Sequence, residues 1–123
     1  MKGFRGLKVW QEGKELAVEL YKVTQKGAFY RDFSLKDQIR RAGVSFPSNI
    51  AEGDERGTNR EAVRFFYMAK GSLAELQTQL EIAFAIGYID EATFRRLDEK
   101  CASLGKMLGR LIKFRSKVIR GKG

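Results

Sequence analysis

The stretch Phe66-Tyr67-Met68-Ala69-Lys70-Gly71-Ser72-Leu73-Ala74-Glu75-Leu76-Gln77-Thr78-Gln79-Leu80-Glu81-Ile82-Ala83 carries the clearest periodicity in the chain. Phe66, Ala69, Leu73, Leu76, Leu80 and Ala83 recur at alternating intervals of three and four. That spacing draws one apolar stripe along an α-helix, whereas a strand would need a period of two. The helix is expected to begin after Asn59, with Glu61 in its first turn, and to stop at Gly87.

Working outward, three more segments show the same repeat. A first helix is predicted from about Leu7 to Lys26, with Trp10, Gly13, Ala17, Leu20 and Thr24 on its stripe and Gly27 ending it. A second starts at Ser34 as N-cap, with Asp37 three residues on, and runs through Leu35, Ile39, Ala42, Phe46, Asn49 and Gly53. A fourth follows Asp90 as N-cap to about Val118, with Phe94, Leu97, Cys101, Leu104, Leu108 and Leu111 on its stripe. The links at residues 27–33, 56–59 and 87–90 are short, and short links make neighbouring helices antiparallel. The expectation is an all-α, up-down-up-down four-helix bundle, one domain over residues 1–123 with a frayed basic tail from about 118.

Two segments interrupt the stripes with polar groups. Ser45, Asn49 and Glu52 share one face of the second helix, and Ser72, Glu75 and Gln79 share one face of the third. Antiparallel packing sets residue 45 near the early 70s, so a Ser45–Ser72 or Asn49–Ser72 contact is expected. Glu52, Glu75 and Asn49 would suit acid–base or metal chemistry. The chain, however, has no histidine, no nucleophile paired with a base and no glycine-rich phosphate loop. A hydrogen-bonded seam that sets helix register is the preferred reading, with Gly53 and Gly71 as sites of close backbone approach. Pro47 removes one backbone donor, and Gly43 sits where its ring would clash, so a bend rather than a break is expected there.

Charge is concentrated at one end. Residues 100–123 carry eight basic side chains and no acid, while the rest of the chain carries 16 basic and 15 acidic. Lys106, Arg110, Lys113, Arg115, Lys117 and Arg120 form the candidate phosphate-binding set. Lys2, Arg5 and Lys8 should join them, because the topology brings both termini to one end. A helix dipole needs only two or three such cations, so a polyanion partner is the expected use of the excess. No apolar run reaches signal-peptide length or the ~20 residues of a membrane span, which points to a cytoplasmic protein without membrane contact. The single Cys101 falls on a core stripe. No metal and no cofactor are expected.

The chain closely resembles the four helix bundle protein family, also called 23S rRNA-intervening-sequence protein or S23 ribosomal protein. The matching pieces are Leu7-Lys8-Val9-Trp10-Gln11, Gln38-Ile39-Arg40-Arg41-Ala42, Ser45-Phe46-Pro47-Ser48-Asn49-Ile50-Ala51-Glu52-Gly53, Ala69-Lys70-Gly71-Ser72-Leu73-Ala74-Glu75-Leu76 and Lys106-Met107-Leu108-Gly109-Arg110-Leu111-Ile112. Phe46 departs from the pattern, which often has a smaller aliphatic there. The resemblance implies an antiparallel bundle assembled into a ring-shaped homopentamer. A related branch, the accessory variability proteins of diversity-generating retroelements, implies basic pentamers that engage a reverse transcriptase and nucleic acid.

The resulting expectation is a non-enzymatic oligomer that binds RNA or DNA through phosphate contacts with little sequence specificity. The alternative is a structural adaptor whose ring docks a protein such as a reverse transcriptase, with Tyr30, Phe33, Phe65 and Tyr67 as apolar contact surface. An enzyme using Glu52 or Glu75 is the third reading.

Overall fold

A computed structural model describes the backbone of residues 3–122 and the side chains of residues 3–117. The candidate residues Lys2 and Arg120 and the expected fraying from residue 118 therefore fall outside the described side chains. A short 3-10 turn at Gly3–Gly6 leads into helices α1 (Lys8–Val23), α2 (Gly27–Arg31), α3 (Phe33–Asp54), α4 (Asn59–Ala85) and α5 (Glu91–Lys122). The described residues contain no strand. The four long helices form the bundle, with α3 packed on α1 and α4, α4 on α5, and α1 touching α5.

The stripes close on a single core. Leu16, Leu20, Ile39, Phe46, Ile50, Phe66, Leu76, Leu80, Leu97, Leu104 and Leu108 are almost wholly removed from water. Cys101 lies among them, and burial, with Asp98 adding, pushes its thiol up to about 12. An inert core thiol follows.

Antiparallel order is visible in the cross-helix contacts. A Cβ added to Gly43 would meet Leu20 Cδ1 at 2.5 Å, and one on Gly13 would meet the Phe46 ring at 2.9 Å. Each of α1 and α3 thus offers a socket to the other's bulky side chain. At the C-terminus of α1, Thr24 Oγ1 donates to the Leu20 carbonyl (2.7 Å) and accepts from Arg40 Nε (2.9 Å). The helix end is therefore capped from α3.

Three boundaries differ from the sequence reading. The first helix ends at Val23, and Gly27 with φ +55° opens the extra short helix α2, which buries Phe29. The N-cap of α3 is Asp32, whose Oδ1 accepts from the Leu35 amide at 3.0 Å, and Ser34 lies inside the helix. α5 is helical to Lys122, beyond the expected stop near Val118. As expected, α3 continues through Pro47 and Asp90 caps α5 by side-chain acceptance; α4 starts one residue earlier than expected, at Asn59, with Thr58 as its side-chain cap.

Candidate nucleic-acid interface

Positions 106, 110, 113 and 117 are separated by four, three and four residues, which is one face of an α-helix. Lys106, Arg110, Lys113 and Lys117 are all exposed on α5, and among the described residues no acid forms an ion pair with them. At a rise of 1.5 Å per residue the row spans about 16 Å. Exposed Phe114 stands within it.

Arg115 does not belong to this row. Its Nη1 lies 3.4 Å from Asp54 Oδ1, its Nε bonds Asn59 Oδ1, and its guanidinium sits 5.7 Å from the ring centre of buried Phe66. The Arg115 and Asp54 side chains are each only 17% exposed. This arginine joins α5 to the α3–α4 corner, and the corner's acid accounts for it.

Both chain ends do reach that corner, since Gly3 lies beside Glu55 and Arg115 beside Asp54. The corner also carries Glu52, Asp54, Glu55 and Glu61, interleaved with Arg56, Arg60 and Arg64, and Arg56 pairs with Glu52 and Arg64 with Glu61. Arg5 lies over the Phe4 ring at 4.6 Å, and Lys8 pairs with Glu12 at 3.8 Å. The α5 row lies in a stretch without an acid, residues 100–123.

Across from it, α4 supplies Tyr67, expected from the sequence as apolar contact surface, and Lys70, which the basic set did not include. Tyr67 and Lys70 line one groove of about 370 Å³ with Gly105, Gly109, Ile112 and Lys113. Tyr67 is 54% exposed, and Lys70 Nζ lies 5.9 Å from its ring centre. Their spacing of three, opposite the buried stripe, was the available signal. Phe65, in contrast, is buried beneath the guanidinium groups of Arg56 and Arg64 and offers no contact surface. Tyr30 and Phe33 are exposed, with the Lys36 ammonium 4.1 Å and 4.5 Å from their ring centres.

The polar seam resolves into a directed chain. Asn49 Nδ2 donates to Ser45 Oγ (3.0 Å), Ser45 and Ser72 hydroxyls lie 2.8 Å apart, and Ser72 Oγ donates to the Met68 carbonyl (3.2 Å). Because each hydroxyl has one proton, Ser45 must donate to Ser72. Glu52 instead pairs with Arg56 at the helix surface (2.9 Å). Glu75 lines a polar groove with Asp37, Arg41, Ser45 and Gln79, whose Oε1 is buried without a partner. Counting outward from the Ser45–Ser72 contact, Glu52 and Glu75 stand about 15 Å apart along the bundle axis. They do not form a carboxylate pair, and Gly71 has open space where a close approach was expected. Among the described residues no cluster of three or more metal-ligating side chains occurs. No described helix is long and apolar enough to cross a membrane.

The family model described as 23S rRNA-intervening sequence protein matches residues 5–110, spanning α1, the serine chain and the first two members of the α5 row, Lys106 and Arg110. The chain belongs to that family. The bundle is similar to the crystal structure of a protein of unknown function from the S23 ribosomal protein family of Bacteroides thetaiotaomicron. The two share 23% identity and a TM-score of 0.79 over 85% of this chain and 98% of the other. No curated protein matches the chain. For this member of the 23S rRNA-intervening sequence protein family, the family model ends at 110, so Lys113 and Lys117 lie beyond the matched stretch.

Proposed function

We propose that the protein is a non-enzymatic, oligomeric nucleic-acid-binding protein. The carrying observation is the exposed row Lys106, Arg110, Lys113 and Lys117, which has no ion-pair partner among the described residues. Contacts of this kind go to phosphates, so affinity is expected with little sequence preference. If the row neutralises about four phosphates, log K should fall against log salt with a slope between about −3 and −4. Fluorescence anisotropy at about 50 mM salt tests this. Absence of binding to RNA and DNA alike would overturn it, and Lys113→Glu should weaken binding without unfolding the bundle.

Assembly is supported by a second surface. Trp10, Ala17, Val18, Tyr21, Val44 and Pro47 line an apolar groove of about 430 Å³ between α1 and α3. Exposed apolar surface of this kind is typical of contact sites. We take its occupant to be another copy of the chain, in the ring of five that the family resemblance implies. The adaptor reading keeps the ring and turns exposed Tyr30, Phe33 and Tyr67 toward a different protein. Light scattering on Val18→Asp/Val44→Asp tests the groove as the contact between copies: a fall in mass supports it, and an unchanged oligomer overturns it.

A further inference from the structure

We infer that the α4–α5 groove takes unpaired nucleotides, so that the protein prefers a single strand of RNA or DNA to a duplex. This inference rests on the nucleic-acid reading above and adds to it the form of the strand. Three observations carry it. First, Tyr67 presents an aromatic face, 54% exposed, inside a groove that also holds Lys70 and Lys113. Second, Gly105 and Gly109, one turn apart on α5, line that groove without a side chain, and a Cβ on Gly109 would meet nothing within 4 Å. Third, the cationic row runs along the outer edge of the same helix.

The geometry separates the two nucleic-acid forms. A duplex carries its phosphates outside and its bases stacked within, so it can meet Lys106, Arg110, Lys113 and Lys117 while leaving Tyr67 empty. An unpaired strand can set phosphates on the same row and turn a base into the glycine-lined groove, against the tyrosine ring. Base–aromatic stacking accepts every base, which agrees with weak sequence preference. Lysines on both sides of the ring, Lys70 on α4 and Lys113 on α5, flank the entering nucleotide. A stacking platform beside a positive track is the common arrangement of single-strand binders.

The test uses the full chain and four probes: uridine and thymidine strands of about 20 nucleotides, and an RNA and a DNA duplex of the same length. Anisotropy titrations compare the wild type with Tyr67→Ala and Gly109→Leu. The second variant leaves every charge in place, raises helix propensity and fills the groove. The expected result is single strands bound about tenfold or more tighter than duplexes. Both variants should lose that margin while the slope against salt stays unchanged. Equal affinity for single strands and duplexes, or variants that keep the single-strand margin, would overturn the inference and leave the phosphate reading standing. No binding to any probe would overturn the reading on which it rests. The uridine and thymidine arms show whether the groove accepts RNA, DNA or both.

Discussion

The guanidinium of Arg115 on α5 lies 3.4 Å from the carboxylate of Asp54 at the end of α3, with both side chains largely withdrawn from water. Charge-assisted contacts of this kind contribute more than exposed ion pairs, because removing one partner strands the other. Arg115→Ala should therefore lower stability by about 1–3 kcal/mol. Lys113→Ala, on the open row, should change it by less than about 0.5 kcal/mol. Urea denaturation of the two variants checks the contrast, and nucleic-acid affinity should respond in the opposite order.

The Ser45–Ser72 contact should behave as one unit. Ser72→Ala leaves the Ser45 proton without its acceptor and is expected to cost about 1–2 kcal/mol. Adding Ser45→Ala should cost less than its separate effect, since the orphaned hydroxyl is then gone. A double-mutant cycle in urea should return a coupling of about 1 kcal/mol, and strict additivity would count against the chain described above.

Glycines that look alike in sequence should split by sign. Gly71→Ala and Gly109→Ala enter open space on helices and should each stabilise by about 0.5–1 kcal/mol. Gly53→Ala would bring a methyl within 2.9 Å of Phe65 and Phe66 and 3.0 Å of the Ala62 carbonyl, so it should destabilise. Thermal melts of the three variants decide the matter.

Two groups make stability depend on pH in opposite directions. The Thr93 backbone amide donates to Asp90 Oδ1 at 2.8 Å and holds that carboxyl below its ordinary 3.8. With the folded value depressed, the contribution is present above 3.8 and is lost as pH falls through the lower folded value. Tyr88 donates to Asp32 Oδ2 at 2.9 Å, and this bond raises its hydroxyl above the ordinary 10.0. Its contribution is complete below 10.0 and is lost as pH rises through the higher folded value. Asp90→Ala should be less stable than the wild type near about pH 7 and equal to it at strongly acid pH. Tyr88→Phe should lose its deficit only at strongly alkaline pH. Denaturation series across pH test both.

Local chemistry explains what could be read beforehand. The stripe from Phe66 to Ala83 needs no distant information, because burial of one helix face leaves its period in the chain. The Ser45–Ser72 contact followed from short links and antiparallel order. Asp32 was passed over because half of what holds it is Tyr88, 56 residues away. Arg115 sits in a stretch without acids, and although the helical period sets it off the face of Lys113, the partner that holds it lies 61 residues earlier. Gly53 and Gly71 differ only in what faces them. Tyr67 and Lys70 were visible as residues off the core stripe, but the groove that joins them to Lys113 exists only once α4 and α5 are packed.

The reciprocal sockets of α1 and α3 also limit how the protein can move. Leu20 occupies the hollow at Gly43 while Phe46 occupies the hollow at Gly13. Sliding α1 by one turn would drive both bulky groups out of their hollows together, so there is no low-cost shear along this boundary. The first helix can therefore breathe only by lifting away whole. Its amides should exchange with solvent in one concerted opening rather than unzip progressively from either end.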